Sequence, residues 1–365
     1  MLAAHEQAFM DEVNALLAPF AGPDYSALTT LLQQRGWYVP SWPREWGGCD
    51  WPPRQKFLWY CALARRGIRL PGAVAVDIAG PALLRYAPSV VQTRYLPGIR
   101  DGAEVWQVAA LAPTAALPEL VDGGLLGEVL TDGTDGVYVL TLAARAEEVV
   151  LLAFAALDAQ RQTFVGLDGA ERSHYQLDGV SPRMELTAVA TPRMAELLAV
   201  LAGHDYVSLG ALGGLQGQLA TARAWAARVD ADDAWQRALQ AEAVALSGVN
   251  AMYLRYVDAL QRGVPEPFPL QVLNLRTAPL RSRLAQLSRQ AADYYGMVPS
   301  ARSGANEPSV LPPLDTVAPD PQDPFAPGME NDVARHLRIE LDDPLTGSAE
   351  RDAVAALLWP EPSEG

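Results

Sequence analysis

Gly36-Trp37-Tyr38-Val39-Pro40-Ser41-Trp42-Pro43-Arg44-Glu45-Trp46-Gly47-Gly48 is the stretch from which the fold can be read. It interrupts a helical pattern that runs from Ala3 to about Pro97, with apolar positions such as Phe9, Val13, Leu16 and Leu17 at spacings of three and four. Pro19, Gly36, Pro71 and Pro88 punctuate that pattern. The tryptophans of the stretch, together with Trp51 and Trp59, either line an apolar pocket or anchor core and loops, and the second is the commoner use of tryptophan. Three more segments follow in order: Leu70-Pro71-Gly72, then Gly80-Pro81-Ala82-Leu83-Leu84-Arg85-Tyr86, then Arg94-Tyr95-Leu96-Pro97-Gly98-Ile99.

From Leu125 to about Ala190 the character changes. Short apolar runs such as Val137-Tyr138-Val139-Leu140 and Val149-Val150-Leu151-Leu152 alternate with Asp132-Gly133, Asp135-Gly136, Asp168-Gly169 and Asp178-Gly179. Asp-Gly pairs tolerate positive φ and favour hairpins, so a small β-domain is expected there. After Pro192 the helical period returns in three stretches, roughly Ala195 to Arg228, Ala234 to Arg262 and Leu270 to Tyr295. In the second, Trp235, Leu239, Leu246, Val249, Tyr253 and Leu260 form a stripe, and Asp230, Asp232 and Asp233 suit its N-terminal end. Antiparallel packing of such stripes makes a bundle. The proline-rich stretch 299–328 reads as an extended surface excursion, and a last helix is expected at about Glu350 to Leu358.

The chain has 365 residues, a formal charge of −15 and an isoelectric point near 4.7, which argues against a nucleic-acid or anionic membrane partner. No apolar run reaches the ~20 residues of a membrane span. Two cysteines, Cys49 and Cys61, are too few for a disulfide framework, so a reducing cytoplasm is expected. The amino terminus carries Glu6, Asp11 and Glu12 and does not read as a secretory signal. His5, His174, His204 and His336 lack metal-binding spacing, and no metal is expected.

The order of helical domain, β-domain and bundle, with the motifs from Gly36 to Ile99, resembles the acyl-CoA dehydrogenase family. Leu345-Thr346-Gly347-Ser348-Ala349-Glu350 is similar to that family's Gly-Thr turn before the last helix. The resemblance implies a mainly α fold with a small β-domain: an N-terminal helical domain at 1–105, a β-barrel-like middle domain at 106–192, and a C-terminal helical bundle at 193–365 that includes the excursion. It further implies FAD as cofactor and an acyl-CoA substrate. In that chemistry a carboxylate removes the proton α to the thioester while flavin takes the β hydride.

Compared with the family's flavin grips, this sequence is depleted. The strand motif of the type Ser/Thr-Glu-Pro-Gly-x-Gly-Ser-Asp falls on Leu111-Ala112-Pro113-Thr114-Ala115-Ala116-Leu117-Pro118, where proline alone matches. The motif of the type Trp-Ile/Thr-Thr/Ser falls on Leu140-Thr141-Leu142, which leaves Thr141 as the candidate flavin-bonding hydroxyl. Where the family carries Arg-x-Gln-Phe-Gly, this chain has Arg228-Val229-Asp230-Ala231-Asp232-Asp233, whose acids would repel a pyrophosphate. For the base, Asp342 and Asp343 lie near the Gly-Thr turn but out of pattern. Glu242, amid Leu239, Val244 and Leu246, is the candidate on a bundle helix, with a flank acid as the alternative.

Arg85, Arg94 and Arg100 either meet a CoA phosphate or form a solvated face. Gly210-Ala211-Leu212-Gly213-Gly214-Leu215-Gln216-Gly217 reads as close helix packing and not as a phosphate loop, having neither a preceding strand nor a Lys-Ser/Thr ending. The resulting expectation is a non-catalytic subunit of a heteromeric FAD-dependent acyl-CoA dehydrogenase. Its partner would be a second dehydrogenase-like chain in an α2β2 assembly that holds most of the FAD, and its substrate class would include CoA thioesters of steroid side chains. A self-sufficient dehydrogenase with an atypical flavin site and a non-enzymatic scaffold are the alternatives.

Overall fold

Trp42 is fully buried, and the N-terminal half is assembled around its indole. The computed structural model describes residues 4–20, 25–68, 70–109, 117–133, 135–146, 148–165, 171–189, 197, 209–229, 233–264 and 270–292. The first helices are α1 (Ala4–Leu17), α2 (Ser26–Arg35) and α3 (Pro53–Arg65). Helix α2 stops because Gly36 takes φ 73°, so that its N–H meets the Gln33 carbonyl at 3.1 Å while the Trp37 N–H reaches Leu32 at 2.8 Å. That pair of bonds is a Schellman ending, which needs a residue at ease with left-handed φ. Further on, a π-helical turn (Ala75–Ala79) leads into α4 (Gly80–Tyr86), followed by α5 (Ser89–Arg100).

The Trp42 Nε1–H donates to the Val76 carbonyl at 2.9 Å, inside the π-turn. Its ring lies so close to Gly80 that a Cβ there would stand 2.0 Å from Cζ2. The two motifs are therefore one packing unit: the tryptophan supplies a donor to a backbone carbonyl of the irregular turn, and the glycine supplies the space. Trp37, Trp51 and Trp59 form a second aromatic group with Phe9, at centroid distances of 5.0 to 6.0 Å and mostly edge to face.

Eight strands follow: β1 (Trp106–Val108), β2 (Glu119–Val121), β3 (Gly124–Asp132), β4 (Tyr138–Arg145), β5 (Glu148–Ala155), β6 (Gln160–Val165), β7 (Glu171–Val180) and β8 (Met184–Val189). They make one sheet in the order β6-β7-β3-β2-β4-β5-β8, with β1 running parallel to β4. A two-residue hairpin falls at Asp122-Gly123, with φ of 49° and 79°, between the paired Val121 and Gly124.

Two of the Asp-Gly pairs expected to turn do other work. Asp178-Gly179 lies inside β7, where Gly179 is skipped between the pairs Leu125–Val180 and Leu126–Asp178, so it makes a bulge. Asp132-Gly133 ends β3, which pairs with β7 and not with β4, so the chain crosses over there instead of turning back. Asp168-Gly169 lies outside the described residues.

The sheet has two buried faces. Val139, Ala143, Leu152, Phe154 and Tyr175 belong to the β-domain's own core. Leu140, Leu142, Leu151 and Ala153 join the larger core that also holds residues of α1 to α5 and of the bundle. The bundle consists of α6 (Leu209–Val229), α7 (Asp233–Arg262) and α8 (Leu270–Ala292). Leu239, Leu246, Val249 and Tyr253 of the expected stripe are buried, as are Ala243 and Val257.

Helix α6 packs on α3 through its glycines: a Cβ on Gly213 would lie 2.2 Å from the Cys61 carbonyl oxygen, and one on Gly217 2.6 Å from that of Arg65. Phe57 of α3 stacks on Tyr253 of α7 at 6.1 Å. The proline-rich stretch 299–328, the Gly-Thr-like turn at 345–350, Asp342, Asp343, the expected last helix, Leu111 to Ala116, Asp230 to Asp232, His204 and His336 lie outside the described residues.

Candidate functional site

In a strand, side chains alternate, so the first and third residues of Leu140-Thr141-Leu142 share a face and the middle one does not. Leu140 and Leu142 are the pair turned toward the helices, and both are buried. Thr141 is buried on the opposite face, beside Val139 and Ala143 of the β-domain core. Its hydroxyl donates to the Leu142 carbonyl at 3.0 Å. The candidate hydroxyl is thus shut inside the β-domain with its proton already engaged, while Leu140 and Leu142 turn hydrocarbon toward the helices; a polar atom on that side is the Trp106 Nε1–H of β1, buried and without a hydrogen-bond partner. These residues do not fit a flavin ring, which needs hydroxyl or backbone donors at its polar edge.

Glu242 sits on α7 with 13% of its side chain exposed, and its Oε1 accepts from Arg283 Nε of α8 at 2.8 Å. The other oxygen, Oε2, is buried and has no hydrogen-bond partner. Sequence reasoning weighed this residue as base or flank acid. The structure makes it the inner half of an ion pair between two bundle helices, with Arg283 half exposed. A cleft of about 300 Å³ opens nearby between α6 and α7, lined by Gln216, Arg223, Gln240, Ser247 and Asn250. Glu242 is not among its walls.

The arginines weighed as phosphate ligands are otherwise occupied. Arg94 meets Glu104 at 3.1 Å and lies over the Tyr95 ring at 5.0 Å. Arg100 meets Asp101 at 2.7 Å, which holds that carboxyl below its usual range, and its stem covers Gly47. Neither cysteine is in a disulfide, and burial pushes the Cys61 thiol up to about 12, which leaves no reactive thiolate at neutral pH. Among the described residues, no group of three or more His, Cys, Asp or Glu side chains could hold a metal ion.

One group that sequence reasoning missed stands out. Asp77, in the middle of the π-turn, accepts a 2.5 Å hydrogen bond from the Tyr60 hydroxyl of α3. Asp77 keeps some contact with solvent, yet its surroundings are apolar enough that burial pushes its carboxyl up to about 7; the Tyr60 bond and the charge of Lys56 both pull the other way. Tyr38, whose hydroxyl donates to the Pro71 carbonyl at 2.6 Å, is pushed up to about 12 by burial and by the nearby Asp77. The available signal was a lone acid in the apolar run from Gly72 to Gly80, together with the fact that Lys56 is the only lysine in the chain.

No protein-family model and no curated protein sequence matches the chain. Solved structures do. The Tcur3481-Tcur3483 steroid ACAD superposes with a TM-score of 0.75 at 15% identity, covering 99% of both chains. The ChsE4-ChsE5 complex from Mycobacterium tuberculosis gives 0.72 at 14% identity, over 100% of this chain and 99% of that one. Glutaryl-CoA dehydrogenase from Mycobacterium smegmatis gives 0.73 at 15% identity, over 98% and 95%. Among the described residues, no helix is long and apolar enough to cross a membrane.

Proposed function

We propose, from the acyl-CoA dehydrogenase fold that these superpositions establish, that the chain is the non-catalytic subunit of a heteromeric acyl-CoA dehydrogenase. In this reading a sister chain of the same fold holds FAD and supplies the base, and the two assemble as α2β2 in the cytoplasm. The reaction is α,β-desaturation of a CoA thioester, with steroid side chains as the substrate class, by analogy with the first of those structures. When bound, the flavin supplies the hydride acceptor; this chain supplies interface and apolar wall.

The observation that carries the reading is β4. Its Leu140 and Leu142 present hydrocarbon toward the helices, and Thr141 is turned into the β-domain core. Glu242 supports it, since a carboxylate held by Arg283 at 2.8 Å is an anchor between helices before it is a proton acceptor. One observation favours a second reading, a self-sufficient enzyme with Glu242 as base: its Oε2 is buried without a partner.

The deciding measurement is the absorbance spectrum of the chain made alone and again with the product of a neighbouring dehydrogenase-like gene, with flavin counted per chain after denaturation. A colourless lone chain and a yellow complex with one flavin per pair are expected. One flavin per chain in the lone protein overturns the proposal and makes Glu242 the first residue to replace.

A further inference from the structure

The inward face of α7 carries the buried stripe of Leu239, Leu246, Val249 and Tyr253. A helix with its other face in water normally keeps its charges there. On α7 it does not. Between Arg237 and Arg255 the only charged residue is Glu242, and that carboxylate is turned inward onto Arg283. The exposed positions of this span are Ala238, Ala241, Val244, Ala245, Gly248 and Ala251, with Gln240 and Ser247 along one border. Val244 is 64% exposed, and a Cβ on Gly248 would have nothing within 4 Å. At the usual helical rise this uncharged face is about 27 Å long.

On one side the face descends into the cleft of about 300 Å³ between α6 and α7, with which it shares Gln240, Val244 and Ser247. A low ridge of small side chains beside a groove is a shape that lets another helix settle at close distance. Three exposed cations rim it: Arg223 on the α6 wall of the cleft, and Arg237 and Arg255 at the two ends. Among the described residues none of the three has an ion-pair partner. In a chain of charge −15, a surface that holds unpaired cations and no acid suits carboxylates brought by another molecule. A second copy fits poorly, because a two-fold axis at the middle of the face would set Arg237 of one copy against Arg255 of the other. The short helix expected from sequence at about Glu350 to Leu358 would cover about 13 Å, half the length.

We propose that the outer face of α7, with the α6–α7 cleft beside it, is the seat of a helix from the sister dehydrogenase-like chain. That helix lays small or apolar residues against Ala241, Ala245 and Gly248 and drops a larger apolar side chain into the cleft. It brings carboxylates within reach of Arg237 and Arg255. The inference rests on the subunit reading above and adds to it the place where the two chains meet and the chemistry of the partner's surface.

The test measures, by sedimentation at low and high salt, the dissociation constant of the full chain with the product of the neighbouring dehydrogenase-like gene. Ala245→Glu, which buries an unpaired charge in the seam, is expected to weaken the pair by about a hundredfold or more, and Ala245→Ser by less than about twofold. Arg237→Glu and Arg255→Glu are each expected to cost about tenfold at low salt and less at high salt. The thermal midpoint of the lone chain should stay as in wild type, since all three side chains are exposed. A wild-type pair that Ala245→Glu or the two charge reversals leave equally tight overturns the seat while the subunit reading stands. Absence of any wild-type pair overturns both. A lone Ala245→Glu chain that melts well below wild type or fails to fold means that residues 293–365 of this chain cover the face, and overturns the proposal. A lone wild-type dimer that Ala245→Glu splits makes the occupant a second copy and overturns it as well.

Discussion

The indole of Trp42 rests on Gly80, thirty-eight positions later, at a distance that leaves no room for a methyl group: a Cβ on Gly80 would lie 2.0 Å from Cζ2 and 2.7 Å from Cε2. The same ring donates to the Val76 carbonyl at 2.9 Å, so any displacement to make room also strains that bond.

Gly80→Ala is accordingly expected to destabilise the chain by about 1 to 3 kcal/mol, the usual range for overpacking a close-fitted core. Thermal unfolding followed by tryptophan fluorescence measures it. A variant as stable as wild type would mean that the ring shifts freely, and that the two motifs are not one unit.

On α6 the glycines divide into two kinds. A Cβ on Gly213 meets backbone of α3, which cannot rotate aside, whereas a Cβ on Gly214 has nothing within 4 Å. Gly213→Ala should cost at least ~2 kcal/mol. Gly214→Ala should gain up to ~1 kcal/mol from helix propensity. Urea denaturation of the pair side by side is the check, and equal effects would contradict the close approach of α3 and α6.

Asp77 predicts a pH dependence of stability whose sign is unusual for an acid. Its folded value of about 7 lies above the ordinary 3.8, so between those limits the folded chain binds more protons than the unfolded one. Stability contributed by the protonated group is present below the lower value, falls as pH rises through the window, and is gone above about 7. Asp77→Asn should remove that slope and raise stability at pH 8 relative to wild type by roughly 2 to 4 kcal/mol. Denaturant midpoints at pH 5 and pH 8 for both proteins decide it, and parallel slopes would refute the assignment.

Thr141→Val keeps the shape of a buried strand residue and removes one hydroxyl bonded to a neighbouring carbonyl. On the reading above it should leave the flavin content of the assembled complex unchanged and alter stability by about 1 kcal/mol or less. Loss of bound flavin in this variant would show that the hydroxyl reaches the cofactor after all.

Glu242→Gln should preserve the turnover of the complex to within about twofold while weakening the bundle by about 1 to 3 kcal/mol, because Arg283 loses its charged partner. A drop in turnover of a hundredfold or more, with flavin retained, would instead identify Glu242 as the base.

Much of the fold was legible because its signals are periodic or steric. The stripe from Leu239 to Tyr253 announces a buried helix face, and Gly36 after Arg35 announces a helix stop. What escaped was decided by partners far along the chain. Asp178-Gly179 has the chemistry of a turn, yet pairing with β3 makes it a bulge, while Asp122-Gly123, which does turn, is preceded by a strand of only three residues, too short to attract notice. For Thr141 the strand was evident; which face would meet the helices follows from the register with β5, which no local pattern carries. Asp77 looked like one acid in an apolar run because Tyr60 and Lys56 belong to another helix.

The seam between α3 and α6 is made by atoms that are not there. At Gly213 and Gly217 the neighbour is a backbone carbonyl of α3, and only a hydrogen fits beneath it. Every replacement of glycine adds at least one carbon, so neither position has a smaller or equal substitute to pass through. A leucine elsewhere in the core can drift to methionine or isoleucine and be repacked. These two sites have no such neighbours in sequence space, and the join between the first helices and the bundle can be kept or lost, but not tuned.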